Sequence, residues 1–145
     1  MLHLKKISII NKADFEYLLQ FDGCSKGNPG KAGAGAVIYK NNTEIWSKSL
    51  FIGNKNTNNE AEYTGLLIGL EEAVNMDIKN IFIEGDSLLV IKQMKGEYKV
   101  KSENLYKLYE KAKKMETQFI NISYNHVYRE KNKRADELSN IALQL

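Results

Sequence analysis

The chain has 145 residues, 43% of them hydrophobic and 27% charged, with a formal net charge of +3. These figures fit one soluble globular domain with a substantial core, and they exclude a disordered or fibrous chain. No apolar run approaches a membrane span, so no membrane partner is expected, and the single cysteine, Cys24, rules out an internal disulfide and fits a reducing, cytoplasmic setting.

Residues 1–14 mix Lys5, Lys6, Lys12 and Asp14 with short apolar pieces. They read as an N-terminal arm, or as an extra strand around Ile7-Ser-Ile-Ile10, and show no signal-peptide pattern. The single domain is expected over 15–145. Phe15, Tyr17, Leu19 and Phe21 alternate with polar or smaller neighbours, as in a half-buried strand that stops at Asp22. A glycine-rich turn follows, Gly23-Cys-Ser-Lys-Gly-Asn-Pro-Gly30. It is either an ordinary hairpin or a site whose backbone N–H groups face a ligand.

Ala34–Tyr39 and Glu44–Ile52 read as two further strands, joined at the turn signal Asn41-Asn42, so the first three form an antiparallel meander. Gly53–Asn59 reads as a polar loop. Tyr63, Leu66, Leu67, Leu70 and Val74 then mark one face of a helix capped by Asn58 or Asn59, with Glu60 and Glu62 in its first turn. Gly65 and Gly69 in that helix point to close packing on a neighbour.

Ile81, Phe82 and Ile83 form a strand covered on both faces and ending at Asp86. A short helix follows to Met94, capped by Asp86 or Ser87. Ser102 caps the next helix, with Leu105, Leu108, Tyr109, Ala112 and Met115 inward. Ile120, Ile122 and Tyr124 alternate in a fifth strand that reaches His126 and Val127. Asn132 caps a last helix with Ala135, Leu138, Ile141 and Ala142 inward. The order βββαβααβα implies an α/β fold: a five-stranded mixed sheet, three antiparallel strands and then parallel ones, flanked by helices.

Four acids stand out by position: Asp22 and Asp86 at strand ends, Glu62 and Asp136 in first helical turns. In sheets with parallel portions such ends meet at one edge. Carboxylates gathered there repel one another unless divalent cations neutralise them, and all-oxygen ligands suit Mg²⁺ or Mn²⁺. Singly, each acid also fits a cap or a helix dipole. Between Lys92 and Glu116 eight lysines stand against four glutamates, and residues 129–134 add a second basic cluster. Such runs are ordinarily solvated faces, but beside an acid cluster they fit a polyanionic partner.

Four motifs resemble the type 1 ribonuclease H family, over Phe15 to Ala142. They are Asp22-Gly-x-x-x-Gly27-Asn-Pro-Gly30, Thr57-Asn-Asn-Glu-Ala-Glu62-Tyr, Gly85-Asp86-Ser87 and His126-Val-Tyr-Arg-Glu-x-Asn132-x-x-Ala-Asp136. The resemblance implies a ribonuclease H-like fold over 15–145 and hydrolysis of the RNA strand of an RNA/DNA hybrid; a monomer is expected. It implies that Asp22, Glu62, Asp86 and Asp136 bind two Mg²⁺ ions, with Mn²⁺ able to substitute, and that cleavage leaves 5′-phosphate and 3′-hydroxyl ends. By the same likeness His126, or Arg129 in its place, assists with water or product. Cys24, Ser25, Gly27, Asn28, Asn58 and Asn59 would read the minor groove, where the 2′-hydroxyl separates RNA from DNA, Thr57 and Asn28 would help hold a phosphate of the DNA strand, and Gly23 would also line the substrate. Residues 95–103 are short and free of tryptophan, unlike the Trp-rich, basic insertion of several bacterial relatives. A non-catalytic hybrid-binding domain and a nuclease of the resolvase or integrase type are the competing readings.

Overall fold

The first strand is the axis of the sheet. In the computed structural model, which describes residues 11–145, β1 (Tyr17–Lys26) pairs antiparallel with β2 (Gly30–Lys40) on one side and parallel with β4 (Asn80–Gly85) on the other. β3 (Thr43–Asn56) adds to β2, and β5 (Asn121–His126) adds in parallel to β4, giving the order β3-β2-β1-β4-β5. The helices are α1 (Asn58–Asn75), α2 (Leu88–Met94), α3 (Glu103–Glu116) and α4 (Lys133–Ala142). The mixed five-stranded sheet and the element order are as expected. Of the expected arm or extra strand over residues 1–14, residues 1–10 lie outside the described residues. Lys12–Asp14 form one 3₁₀ turn before β1.

The two sheet faces differ. Leu19, Phe21, Ile81 and Ile83 are fully buried on the face covered by α1, together with Tyr63, Leu66 and Leu70 of that helix. The opposite face carries a smaller cluster, Val37 with Ala135 and Leu138 of α4.

Several boundaries differ from expectation. β1 does not stop at Asp22 but runs on to Lys26. β2 starts at Gly30, and β3 continues to Asn56 through much of the expected loop. Their glycines, serines and asparagines have weak strand preference. The ladder from Gly23↔Ala34 to Lys26↔Lys31, and the Gly30↔Asn56 pair, satisfy the backbone in spite of it. The glycine-rich stretch is thus a hairpin. The cap of α1 is Thr57, whose Oγ1 accepts from Glu60 N at 3.1 Å while Glu60 Oε1 accepts from Thr57 N at 2.7 Å. Glu62 therefore lies beyond the first turn. Val127 falls outside β5, and Ile120 is 70% exposed rather than on its inward face. Ile141 is 43% exposed; Ser139, fully buried, takes the expected place on the inward face of α4.

Candidate active site

Asp22 and Asp86 meet where two parallel strands part. The β1–β4 ladder ends at Phe21↔Gly85, and Asp22 and Asp86 are the next residues of their segments. β4 turns there into α2, whose cap is Ser87, while β1 continues with β2 alone. Both carboxylates therefore stand at the mouth of the divergence.

Glu62 is brought to them by two glycines. A Cβ on Gly23 would lie 2.1 Å from the Ala61 carbonyl carbon and 2.4 Å from Glu62 N, and one on Gly65 would lie 2.4 Å from Asp22 O. No side chain fits at either position, so α1 rests directly on the β1 backbone. One carboxylate oxygen each from Asp22, Glu62 and Asp86 then lies within 4.8 Å of the others. Asp136 in the first turn of α4 lines the same cleft as Asp22. A cleft of about 300 Å³ is lined by all four acids with Gly23, Cys24, Asn58 and Arg129.

The crowding alters the acids. Asp22 is 4% exposed. Burial, then the charge of Asp86, then Asp136 push its carboxyl from 3.8 up to about 7. Burial, then Asp22 and Asp86, raise Glu62 well above the usual carboxylate range. Glu62 Oε1 is buried with no hydrogen-bond donor. A donorless buried oxygen among hard oxygen ligands is what a divalent cation satisfies, so these residues fit one.

The hairpin is braced against α1. Ser25 N donates to Asn58 Oδ1 and Asn58 N donates to Asn28 Oδ1, both at 2.8 Å, while Ser25 Oγ donates to Asn56 O at 2.7 Å. The amide oxygens of Asn28 and Asn58 are thereby used internally, and their NH₂ groups remain for a ligand. Gly27, at φ +101°, makes the turn possible. Asn28, Thr57 and Asn59 also line a neighbouring cleft of about 270 Å³ with Glu60, Ser102, Asn104 and Leu105.

Arg129 lines the main cleft, 81% exposed, with its Nη2 3.7 Å from Asp136 Oδ1. His126 does not line it. It ends β5 opposite Gly85, and its ring packs edge-on against Tyr128 with centroids 5.3 Å apart. Cys24 lines the cleft, and its thiol donates to Ser139 O at 3.4 Å.

Two residues in contact with the acids escaped the sequence reading. Asn132 was expected as a cap, yet its side chain caps nothing. Fully buried, its Nδ2 donates to Phe21 O at 2.9 Å and to Asp86 Oδ2 at 3.3 Å. Ser139 Oγ lies 3.3 Å from Asp22 Oδ2 and 2.9 Å from Asp136 O. The only signal for Ser139 was a polar residue one turn after Asp136.

The reverse-transcriptase-like family matches residues 20–142. The Mycobacterium tuberculosis "Bifunctional protein Rv2228c" is 41% identical over 127 residues, covering 87% of this chain and 35% of that protein. Its solved N-terminal RNase H domain superposes with a TM-score of 0.85 at 42% identity, covering 88% of this chain and 93% of that one. "Ribonuclease HI" of Halobacterium salinarum is 38% identical over 123 residues, 85% of this chain and 62% of that protein. The chain thus spans about a third of the mycobacterial relative and under two thirds of the halobacterial one. LC11-RNase H1, isolated from compost by a metagenomic approach and solved in complex with an RNA/DNA hybrid, gives a TM-score of 0.82 at 35% identity, covering 88% of this chain and 96% of that one. With matches of this extent, and with all four acids at one cleft, the chain belongs to the ribonuclease H family.

Proposed function

We propose that this chain is an endoribonuclease that hydrolyses the RNA strand of RNA/DNA hybrids, using two divalent cations held by Asp22, Glu62, Asp86 and Asp136, and leaves 5′-phosphate and 3′-hydroxyl ends. The observation that carries the reading is the convergence of three buried or half-buried carboxylates within 4.8 Å, one with a donorless oxygen. The relative named ribonuclease HI, and the related structure in complex with a hybrid, support the substrate class.

Bound Mg²⁺ or Mn²⁺ would supply a Lewis acid for the phosphodiester and lower the pKa of an attacking water. The protein's own residues do the rest. Asp22 and Glu62, held protonated or repelling while the site lacks cations, become ligands on ionisation. Arg129 offers an exposed guanidinium to a phosphate oxygen beside Asp136. His126, at the end of β5 and outside the lining of the cleft, fits a part in water delivery or product release rather than in holding a cation. Gly23, Cys24, Ser25 and Gly27 offer hairpin backbone, and the NH₂ groups of Asn28 and Asn58 would meet 2′-hydroxyls across the minor groove. Thr57, Asn28 and Asn59, around the second cleft, would hold a phosphate of the DNA strand.

The test is cleavage of end-labelled hybrid, duplex DNA and duplex RNA with Mg²⁺, Mn²⁺ or EDTA. Hybrid cleavage with metal, none with EDTA, and a loss on the order of a thousandfold in Asp86→Asn are expected, matching several kcal/mol of lost charge stabilisation. Hybrid binding without cleavage under either metal would instead make this a binding domain.

A further inference from the structure

Beneath the acids lies a second row of polar side chains. Gln20 precedes Asp22 by two positions and Glu84 precedes Asp86 by two, so each shares a sheet face with its acid. Gln20 and Glu84 are partners in the β1–β4 ladder. They are 9% and 3% exposed, in strands that are otherwise apolar at this depth. Gln20 Nε2 donates to Glu84 Oε1 at 2.8 Å and to Lys131 O at 3.3 Å. Glu84 Oε2 lies 2.9 Å from Nζ of Lys12, whose side chain is 54% exposed.

Stability does not account for this row. A buried carboxylate with one half-exposed cation gains little over well-packed apolar residues of similar volume. Its placement accounts for it better. Lys131 ends the 3₁₀ turn Arg129–Lys131 and immediately precedes Asn132. Two consecutive residues are thus fastened to β1, Lys131 by the Gln20 amide and Asn132 by its own side chain on Phe21 O. The second fastening also reaches Asp86. Asp136 N donates to Asn132 O at 3.0 Å, so the seat of Asn132 also fixes where Asp136 stands.

We propose that Gln20 and Glu84 are positioning residues. Glu84 orients the Gln20 amide, the amide holds the Lys131 carbonyl, and this sets Asn132 on Asp86 and Asp136 beside Asp22. The inference rests on the reading of these acids as cation ligands. Neither residue touches the cleft, so their effect passes entirely through residues 131–136.

The variants are Gln20→Leu, Glu84→Ala, Glu84→Gln and the double change Gln20→Leu/Glu84→Met. The double change removes both buried side-chain polar groups together, so that only the part-buried Lys131 carbonyl loses a partner, and Lys12 can turn to water. It is expected to keep the metal-free melting temperature within a few degrees of the parent. Calorimetric titration with Mg²⁺ alone is expected to show affinity about tenfold weaker in Gln20→Leu, Glu84→Ala and the double variant, with recovery in Glu84→Gln, which still offers Gln20 an acceptor. On hybrid, kcat is expected to fall about tenfold with KM unchanged, and the Asp136 amide to exchange faster with solvent. Parental Mg²⁺ affinity in a folded Gln20→Leu or double variant would overturn the proposal, as would a Glu84→Gln protein no better than Glu84→Ala. A parent that binds Mg²⁺ but leaves hybrid intact would sink the nuclease reading, while the Mg²⁺ affinities would still decide this one.

Discussion

The cleft is built by two helices that both rest on glycine backbone of the sheet but are fastened there differently. On one side α1 lies on bare backbone: Gly23 and Gly65 let Glu62 approach Asp22 with no side chain between, and Tyr63, Leu66 and Leu70 bury the helix in the main core. On the other side α4 also lies on glycine backbone, at Gly33 and Gly35 of β2, where a Cβ would come within 2.6 Å of Ser139 O and Ser139 N, but it is held by polar contacts as well, Asn132 to β1 and Asp86, Ser139 beside Asp22, and Arg134 bonded through Nε and Nη2 to the two carboxylate oxygens of Glu44 at 2.9 and 3.0 Å. Its apolar cluster is small. Close packing fixes position within tenths of an ångström and tolerates no change, whereas hydrogen bonds fix direction and can be loosened singly. The acid on the packed side, Glu62, has an oxygen with no donor; the acid on the bonded side, Asp136, has a side chain 37% exposed next to Arg129. The site therefore has a rigid half and, at the Asn132–Asp136 end of α4, a half set by hydrogen bonds and so adjustable.

The contrast is broken most strongly at Gly65. Gly65→Ala would place a methyl 2.4 Å from Asp22 O, so α1 must lift from β1. The expected cost is about 3 kcal/mol, read as a lower denaturant midpoint, with loss of Mg²⁺ binding even in the fraction that stays folded. A midpoint equal to the parent's would show that α1 rests less firmly than the geometry requires.

A middle-sized effect lies at Asp22, where the two halves touch. Its carboxyl is raised from 3.8 to about 7 in the folded protein, so the fold retains a proton that the unfolded chain gives up near pH 4. The contribution of this carboxyl to the stability of the metal-free protein is thus full below pH 4, is lost as pH rises towards 7, and is level above. Asp22→Asn is expected to gain about 1–3 kcal/mol at pH 8 in EDTA and to flatten this slope, measured by urea unfolding across pH. Mg²⁺ should restore much of the parent's loss and do little for the variant. A parent curve that rises from pH 4 to 7 would contradict the charge crowding.

The smallest effect belongs to the clamp on α4. Arg134 and Glu44 are each about a third exposed, 34% and 35%. Glu44→Gln is expected to cost only about 0.5 kcal/mol, less in high salt, and to leave hybrid cleavage at the parental rate. A larger loss of activity than of stability would show that α4 is held chiefly from its outer side.

The rigid half was the more legible in sequence. Apolar spacing in α1, alternation in β1 and the glycines of α1 are local signals for contacts made over whole faces. The order of the four acids was legible too, because each sits at or beside an element end. The extent of β1–β3 was not, since Gly53 and its asparagine-rich neighbours take strand form only from partner backbone. The roles of Asn132 and Ser139 depend on which sheet α4 meets, and an asparagine before a helix reads as a cap from sequence alone. Ile120 and Ile141 show the reverse error: both keep the period of their elements, yet one precedes its strand and the other lies off the narrow face that α4 presents to β2. Gln20 and Glu84 did leave a trace, a polar residue two places before each strand acid, in runs otherwise fit for a core.

Cys24 follows Asp22 and Gly23 on β1, and its thiol bonds to the carbonyl of Ser139 in the middle of α4. The one sulfur in a cysteine side chain is therefore parked on the seam between the packed and the bonded halves, half-covered by the helix that can be loosened. Its reactivity towards an alkylating reagent is a gauge of how well that helix is seated: a sulfur that reacts slowly reports a closed seam, and one that reacts quickly reports that the adjustable half has drawn away, with no label introduced from outside.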